Sequence, residues 1–168
     1  MAALLPSLET GLSFTVGGEY VLFANILMQQ IKGGTTAQQG DFTKYIIGGQ
    51  DTDGMWQNMY TNGLNMAYII MNKAEAENAP HYGGVAKILM ATGLGIATDT
   101  FGDIPYSEAF RADEGVTAQF NTQAEIYATI QSLLDEAITD LQEADSPGGT
   151  GGDDLIYGGA RQLDSGGK

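Results

Sequence analysis

The sequence predicts an all-α fold. Apolar residues recur at three-and-four spacing through Trp56, Met59, Tyr60, Leu64, Ala67, Ile70, Met71 and Ala74, and again from Ile126 to Leu141, each marking one face of a helix. Between these stripes, Val85 to Ile96 is apolar nearly all round, the pattern of a helix enclosed by others. Gly-Gly pairs, among them Gly33-Gly34, Gly48-Gly49 and Gly83-Gly84, punctuate the chain and predict loose, glycine-rich connections.

In chain order, Leu4, Leu5, Leu8 and Leu12 predict a first helix over residues 4–14, with Pro6 in its first turn and Gly17-Gly18 ending it. Val21, Leu22, Ala24, Ile26, Met28 and Ile31 predict a second, from Glu19 to Ile31, stopped by Gly33-Gly34. The polar stretch up to Gly49 reads as an ordered loop with a short extended piece at Tyr45-Ile46-Ile47. Asp53 is then the expected N-cap of a long helix that runs to about Asn78 and ends at Pro80.

After a break from Pro80 to Gly84, the enclosed helix is expected from Val85 to about Asp99. Gly93 and Gly95 weaken a helix interior by roughly 1 kcal/mol each relative to Ala, so another helix is expected close against them. The stretch Thr98 to Phe110, TDTFGDIPYSEAF, turns the chain at Gly102 and Pro105. Thr122 and Glu125 form a capping box for a last helix whose apolar face carries Ile126, Tyr127, Ile130, Leu134, Ala137, Ile138 and Leu141. Residues 1–145 thus form the scaffold, and the glycine-rich residues 146–168 a mobile tail in which Leu155-Ile156-Tyr157 docks as a short extended piece.

The formal charge of −14, with seven Lys and Arg residues, disfavours nucleic acid, whose affinity comes largely from cationic side chains releasing counterions. The absence of cysteine excludes a disulfide framework, a thiol nucleophile and Cys-ligated metal within these residues. No run of about eighteen apolar residues spans a bilayer. Neither a cofactor nor a metal is expected.

Asp99, Asp103 and Glu108 invite a reading as a carboxylate cluster for acid–base work or a hard cation, but turn chemistry accounts for them with less. In that reading Gly102 and Pro105 shape the turn, Asp103 bonds local backbone and Tyr106 fills the gap. Trp56 and Tyr60 are the candidate ligand-binding residues, because sugar faces stack on aromatic rings; core packing is the competing account of both. His81 has no nucleophile at motif spacing and reads as a turn residue, and the methionines as core filling.

Several stretches in order carry a family resemblance. Leu4-Leu5-Pro6, the opening of the helix from Trp56 to Tyr60, Ala86-Lys87-Ile88-Leu89, Asp99, Phe101-Gly102-Asp103-Ile104-Pro105-Tyr106-Ser107-Glu108-Ala109, Phe120 to Tyr127, Leu134 to Ile138 and Asp154-Leu155-Ile156-Tyr157-Gly158-Gly159 together resemble the SusD/RagB family. They are similar in particular to the SusD-like nutrient-binding outer-membrane lipoproteins of Bacteroidota. The resemblance implies a scaffold of tetratricopeptide-like helix pairs, no enzymatic activity, and capture of a glycan or peptide nutrient at the cell surface. It further implies a TonB-dependent outer-membrane transporter, SusC-like, as partner, and membrane attachment only through a lipid anchor whose acceptor cysteine and export signal are not among these residues. It makes Asp99, Gly102, Asp103, Pro105, Tyr106 and Glu108 a structural signature, and it implies that family chains continue into a second portion supplying much of the ligand site. The alternative from a different class is a stand-alone tetratricopeptide-like adaptor whose ligand is another protein.

Overall fold

The computed structural model describes residues 1–34, 37–111 and 117–158. Helix α1 (Leu4–Thr15) buries Leu5, Leu8 and Leu12 as the spacing predicts. It does not stop at Gly17-Gly18. A π-helical turn, Val16–Tyr20, carries it into α2 (Val21–Leu27), with Thr15 and Val21 both in right-handed helical geometry. The anchor is Tyr20, whose ring is buried edge-on to Phe101 at 6.4 Å and whose hydroxyl donates to the Met55 carbonyl at 3.4 Å. Tertiary docking at this residue outweighs the modest helix penalty of the two glycines. The rod ends at Leu27 rather than Ile31, and Gln29 turns away with a φ of 56°.

The expected extended piece at Tyr45–Ile47 is absent. Instead a short helix, α3 (Ala37–Phe42), buries Phe42 against the Phe23 ring at 5.1 Å, and Tyr45 folds back so that its hydroxyl donates to the Leu27 carbonyl at 3.0 Å. A 3₁₀ turn, Gly49–Thr52, then leads into α4 (Asp53–Asn58). Asp53 is the first helical residue and makes no side-chain cap, contrary to the sequence expectation. The local carboxylate bond comes from Asp51, which accepts the Gly48 N–H at 2.7 Å.

Another π-helical turn, Met59–Leu64, joins α4 to α5 (Asn65–Ala76), so the expected long helix is one rod with a local widening. That turn lies against α1, where a Cβ on Gly11 would come within 2.7 Å of the Asn62 carbonyl oxygen. After Ala76 the chain reverses at Asn78, φ 51°, and Pro80 opens the next helix instead of merely closing this one. A proline at the first helical position lacks only an N–H that has no helical partner there.

Helix α6 (Pro80–Phe101) thus begins earlier than Val85 and includes Gly83-Gly84. The pair is helical because neighbours occupy the space of the missing side chains. A Cβ on Gly84 would lie 2.8 Å from Leu141 Cγ and 3.1 Å from the Ala137 carbonyl oxygen. Gly93 meets the predicted close helix, since a Cβ there would lie 2.8 Å from Leu64 Cδ2. Helix α7 (Gln123–Gln142) runs antiparallel to α6, with Gly84 beside Leu141 and Gly95 beside Ile130.

Helices α5 and α6 are likewise antiparallel neighbours, so α6 sits enclosed between two partners, as its apolar circumference predicts. Met59, Leu64, Ile70, Met90, Leu94 and Ile126 are all fully buried at the centre. On α7 the buried stripe is Ile126, Ile130, Leu133 and Ala137; Tyr127 and Ile138, expected on that face, are exposed. Just ahead of α7 the chain contributes a two-residue strand. Phe120–Asn121 (β2) pairs antiparallel with Ile104–Pro105 (β1), Ile104 opposite Asn121 and Pro105 opposite Phe120.

Candidate functional site

At the end of α6, Gly102 adopts φ +78°, a conformation glycine takes without strain, and its N–H donates to the Thr98 carbonyl at 2.8 Å. The Thr98 hydroxyl returns a bond to the Gly102 carbonyl at 2.7 Å. Asp103 does not bond local backbone as expected. Its Oδ1 accepts the N–H of Gln123 at 2.9 Å, across to the first turn of α7, where free N–H groups favour an acceptor and a negative charge. Thr122 and Glu125 complete that end as the sequence predicts. The Thr122 hydroxyl oxygen accepts the Glu125 N–H at 3.3 Å, and Glu125 Oε2 accepts the Thr122 N–H at 2.7 Å.

Asn121 Oδ1 accepts the N–H groups of Tyr106 at 3.1 Å and Ser107 at 3.0 Å. Glu108 Oε2 accepts the Gln119 N–H at 3.1 Å, and Asp99 Oδ1 accepts the Tyr127 hydroxyl at 2.6 Å. The three carboxylates therefore serve three separate donors. They do not converge on a common point, and among the described residues no cluster of three metal-ligating side chains exists.

Above this joint lies a chain of aromatic rings. Trp56 stands at its middle, 4.8 Å from Tyr60, 5.0 Å from Phe101 at an interplanar angle of 81°, and 6.4 Å from Phe120 at 26°. Tyr60 continues to Phe110 at 6.4 Å, and Phe110 stacks on Tyr68 at 5.0 Å and meets Tyr106 edge-on at 6.2 Å. Offset and edge-to-face pairs of this kind add attraction beyond their buried area.

Trp56 and Tyr60 are both half-buried, so each is at once part of the packing and at the edge of it. The Tyr60 hydroxyl is committed: it donates to the Pro105 carbonyl at 2.7 Å, and burial pushes its ionisation well above the ordinary range. The open ring is Phe120, 64% exposed and laid over Trp56 by the two-residue strand pairing. Sequence reasoning about binding residues passed over Phe120, because it stands in a polar segment with no periodic apolar partner. Its one signal was a large aromatic where nothing local buries it.

Elsewhere, a groove of about 430 Å³ between α5, α6 and α7 is lined by Asn72, Glu75, Lys87, Glu136 and Asp140. Lys87 Nζ lies 3.0 Å from Glu136 and 2.8 Å from Asp140 and neutralises part of that lining. His81 joins the start of α6 to the end of α7, its Nε2 donating to the Glu143 carbonyl at 2.9 Å.

Residues 2–163 match the SusD-like family described as "Starch-binding associating with outer membrane", and the chain belongs to that family. It is similar in structure to a SusD/RagB family protein from Bacteroides thetaiotaomicron, with a TM-score of 0.81 at 24% identity over 92% of this chain. The chain spans 33% of that protein's length. No curated protein sequence matches. The SusD/RagB resemblance and the all-α, helix-pair architecture expected from the sequence both hold.

Proposed function

We propose that this chain is the helical scaffold of a non-enzymatic nutrient-binding protein that captures a glycan, or in a variant of the same role a peptide, at the outer-membrane surface. It delivers the ligand to a TonB-dependent, SusC-like transporter. The observation that carries the reading is the Trp56–Phe120 pair, an exposed ring stacked on a half-buried one in a chain whose family is described as starch-binding. A pyranose face stacks on such a platform through its C–H groups, and Tyr60 holds the platform's base by its bond to Pro105. The platform supplies one edge of a site, and the similar SusD/RagB family protein, of which this chain spans 33%, is the longer of the two.

The test is calorimetric titration of soluble maltooligosaccharides and of a defined peptide mixture into the parent protein and into its Trp56→Ala and Phe120→Ala variants. Loss of one stacking partner weakens binding roughly two- to tenfold. Unchanged affinity in both variants would exclude the platform. Binding of neither ligand class by the parent would remove the proposed role itself.

A further inference from the structure

The segment after α7 is attached to the body through an arrangement that its composition conceals. Asp153 Oδ2 accepts the Tyr82 hydroxyl of α6 at 2.6 Å, and the Leu155 N–H donates to Glu9 Oε2 of α1 at 2.8 Å. Asp154 Oδ1 accepts the N–H groups of Ile156 at 3.0 Å and Tyr157 at 2.8 Å. Glu9 and Asp154 are each only 2% exposed. Their remaining oxygens, Glu9 Oε1 and Asp154 Oδ2, are shut off from solvent and meet no donor.

Two ionised carboxylates buried side by side repel each other, and each has lost the water that would hydrate it. Something positive belongs between them. Among the described residues no ion pair includes either group, and no third metal-ligating side chain joins them to make a cage. A single proton resolves the arrangement. Placed on Glu9 it turns an orphan carboxylate oxygen into a donor facing Asp154 and removes one of the two charges.

We propose that Glu9 and Asp154 share one proton and form a pH-sensitive latch that holds residues 150–158 against α1 and α6, closed when the proton is bound and opened when it leaves. The sign follows from Glu9. Burial first, then the charge of Asp154 and the hydrogen bond to it, raise the Glu9 carboxyl above its ordinary 4.5, against the opposing pull of the Leu155 N–H. A raised acid contributes its full stability to the closed form below the ordinary value and loses it as pH rises through the raised one. Among the described residues, the other titratable groups beside the latch are Asp153 in the same segment and Tyr82 on α6. Burial, with Asp153 adding to it, pushes Tyr82 up to about 12, so the phenol keeps its proton throughout that window.

Hydrogen exchange of the Leu155, Ile156 and Tyr157 amides, followed by NMR in the whole chain from about pH 4 to about pH 8 and corrected for the intrinsic rate, reads the latch directly. Protection of these amides falls by at least about tenfold with rising pH, while the amides of Met90 and Leu94 stay protected. In Glu9→Gln the side-chain carbonyl accepts from Leu155 and the amide NH₂ donates permanently to Asp154, so protection becomes independent of pH. A flat profile in the unaltered chain overturns the proposal, as does a Glu9→Gln profile that still follows pH. Recovery of protection at the alkaline end on adding millimolar calcium overturns it too, because a cation rather than a proton would then be the bridge.

Discussion

Gly84 and Gly95 lie about three turns apart on the side of α6 that faces α7, and the same substitution has different consequences at the two. An alanine in place of either gains the same intrinsic helix preference, about 1 kcal/mol over glycine. At Gly95 the new methyl would sit 3.8 Å from Ile130 Cδ1, an ordinary contact, so that gain is kept. At Gly84 it would sit 2.8 Å from Leu141 Cγ, a branch point rather than a flexible tip, and 3.1 Å from a backbone carbonyl of α7. Relief requires α7 to move outward, and overpacking of this kind typically costs about 1–3 kcal/mol. Propensity cancels between the two variants, which leaves the steric difference. For a chain of 168 residues each kcal/mol shifts Tm by about 2–4 °C, so Gly84→Ala should melt about 2–12 °C below Gly95→Ala. Thermal unfolding followed by far-UV circular dichroism measures this difference. Equal melting temperatures, or a more stable Gly84→Ala, would refute the close approach of α6 and α7 as the reason for glycine here.

Tyr60→Phe removes the donor to the Pro105 carbonyl while keeping the ring, and should lower stability by about 1–2 kcal/mol, or Tm by about 2–8 °C; an unchanged Tm would mean the bond is replaced by water without loss. Glu125 tests the α7 cap through pH. The Thr122 N–H, followed by the Thr122 hydroxyl, draws its carboxyl below the ordinary 4.5, so the cap's contribution is complete above that value and is lost as pH falls through the lowered one. The Thr122 amide shift in an NMR titration should report a midpoint below 4.5, and a midpoint at or above it would refute the reciprocal cap.

What the sequence made legible were features whose cause is local or periodic. The capping box at Thr122 and Glu125 needs only residues three apart, and the enclosure of α6 follows from its lack of a polar face. What it hid were features decided by distant partners. Gly17-Gly18 and Gly83-Gly84 read as breaks because glycine is locally permissive, yet Tyr20 docking on Phe101 and Met55 carries one pair through a helix, and the Ala137–Leu141 face of α7 requires the other. Pro80 is equally compatible with ending α5 and opening α6, and only the left-handed turn at Asn78 separates the two roles. The Glu9–Asp154 pair joins opposite ends of the chain, and no pattern of spacing connects them.

The same distinction explains why the corner is conspicuous as a motif while the platform beside it is not. Asp103, Asn121 and Glu108 must be acceptors, because each meets backbone N–H groups that the two short strands and the start of α7 leave without a partner. Their identities are therefore constrained by chemistry that a linear motif can display. Phe120 is constrained differently, by register. It lies over Trp56 because it is paired with Pro105, whose carbonyl also receives Tyr60, so one residue of the corner ties down both the top and the base of the aromatic platform. The joint and the proposed binding surface are then mechanically one unit. A change that loosens the Pro105–Phe120 pairing would displace the exposed ring while the fully buried core around Met59, Leu64 and Leu94 keeps its packing.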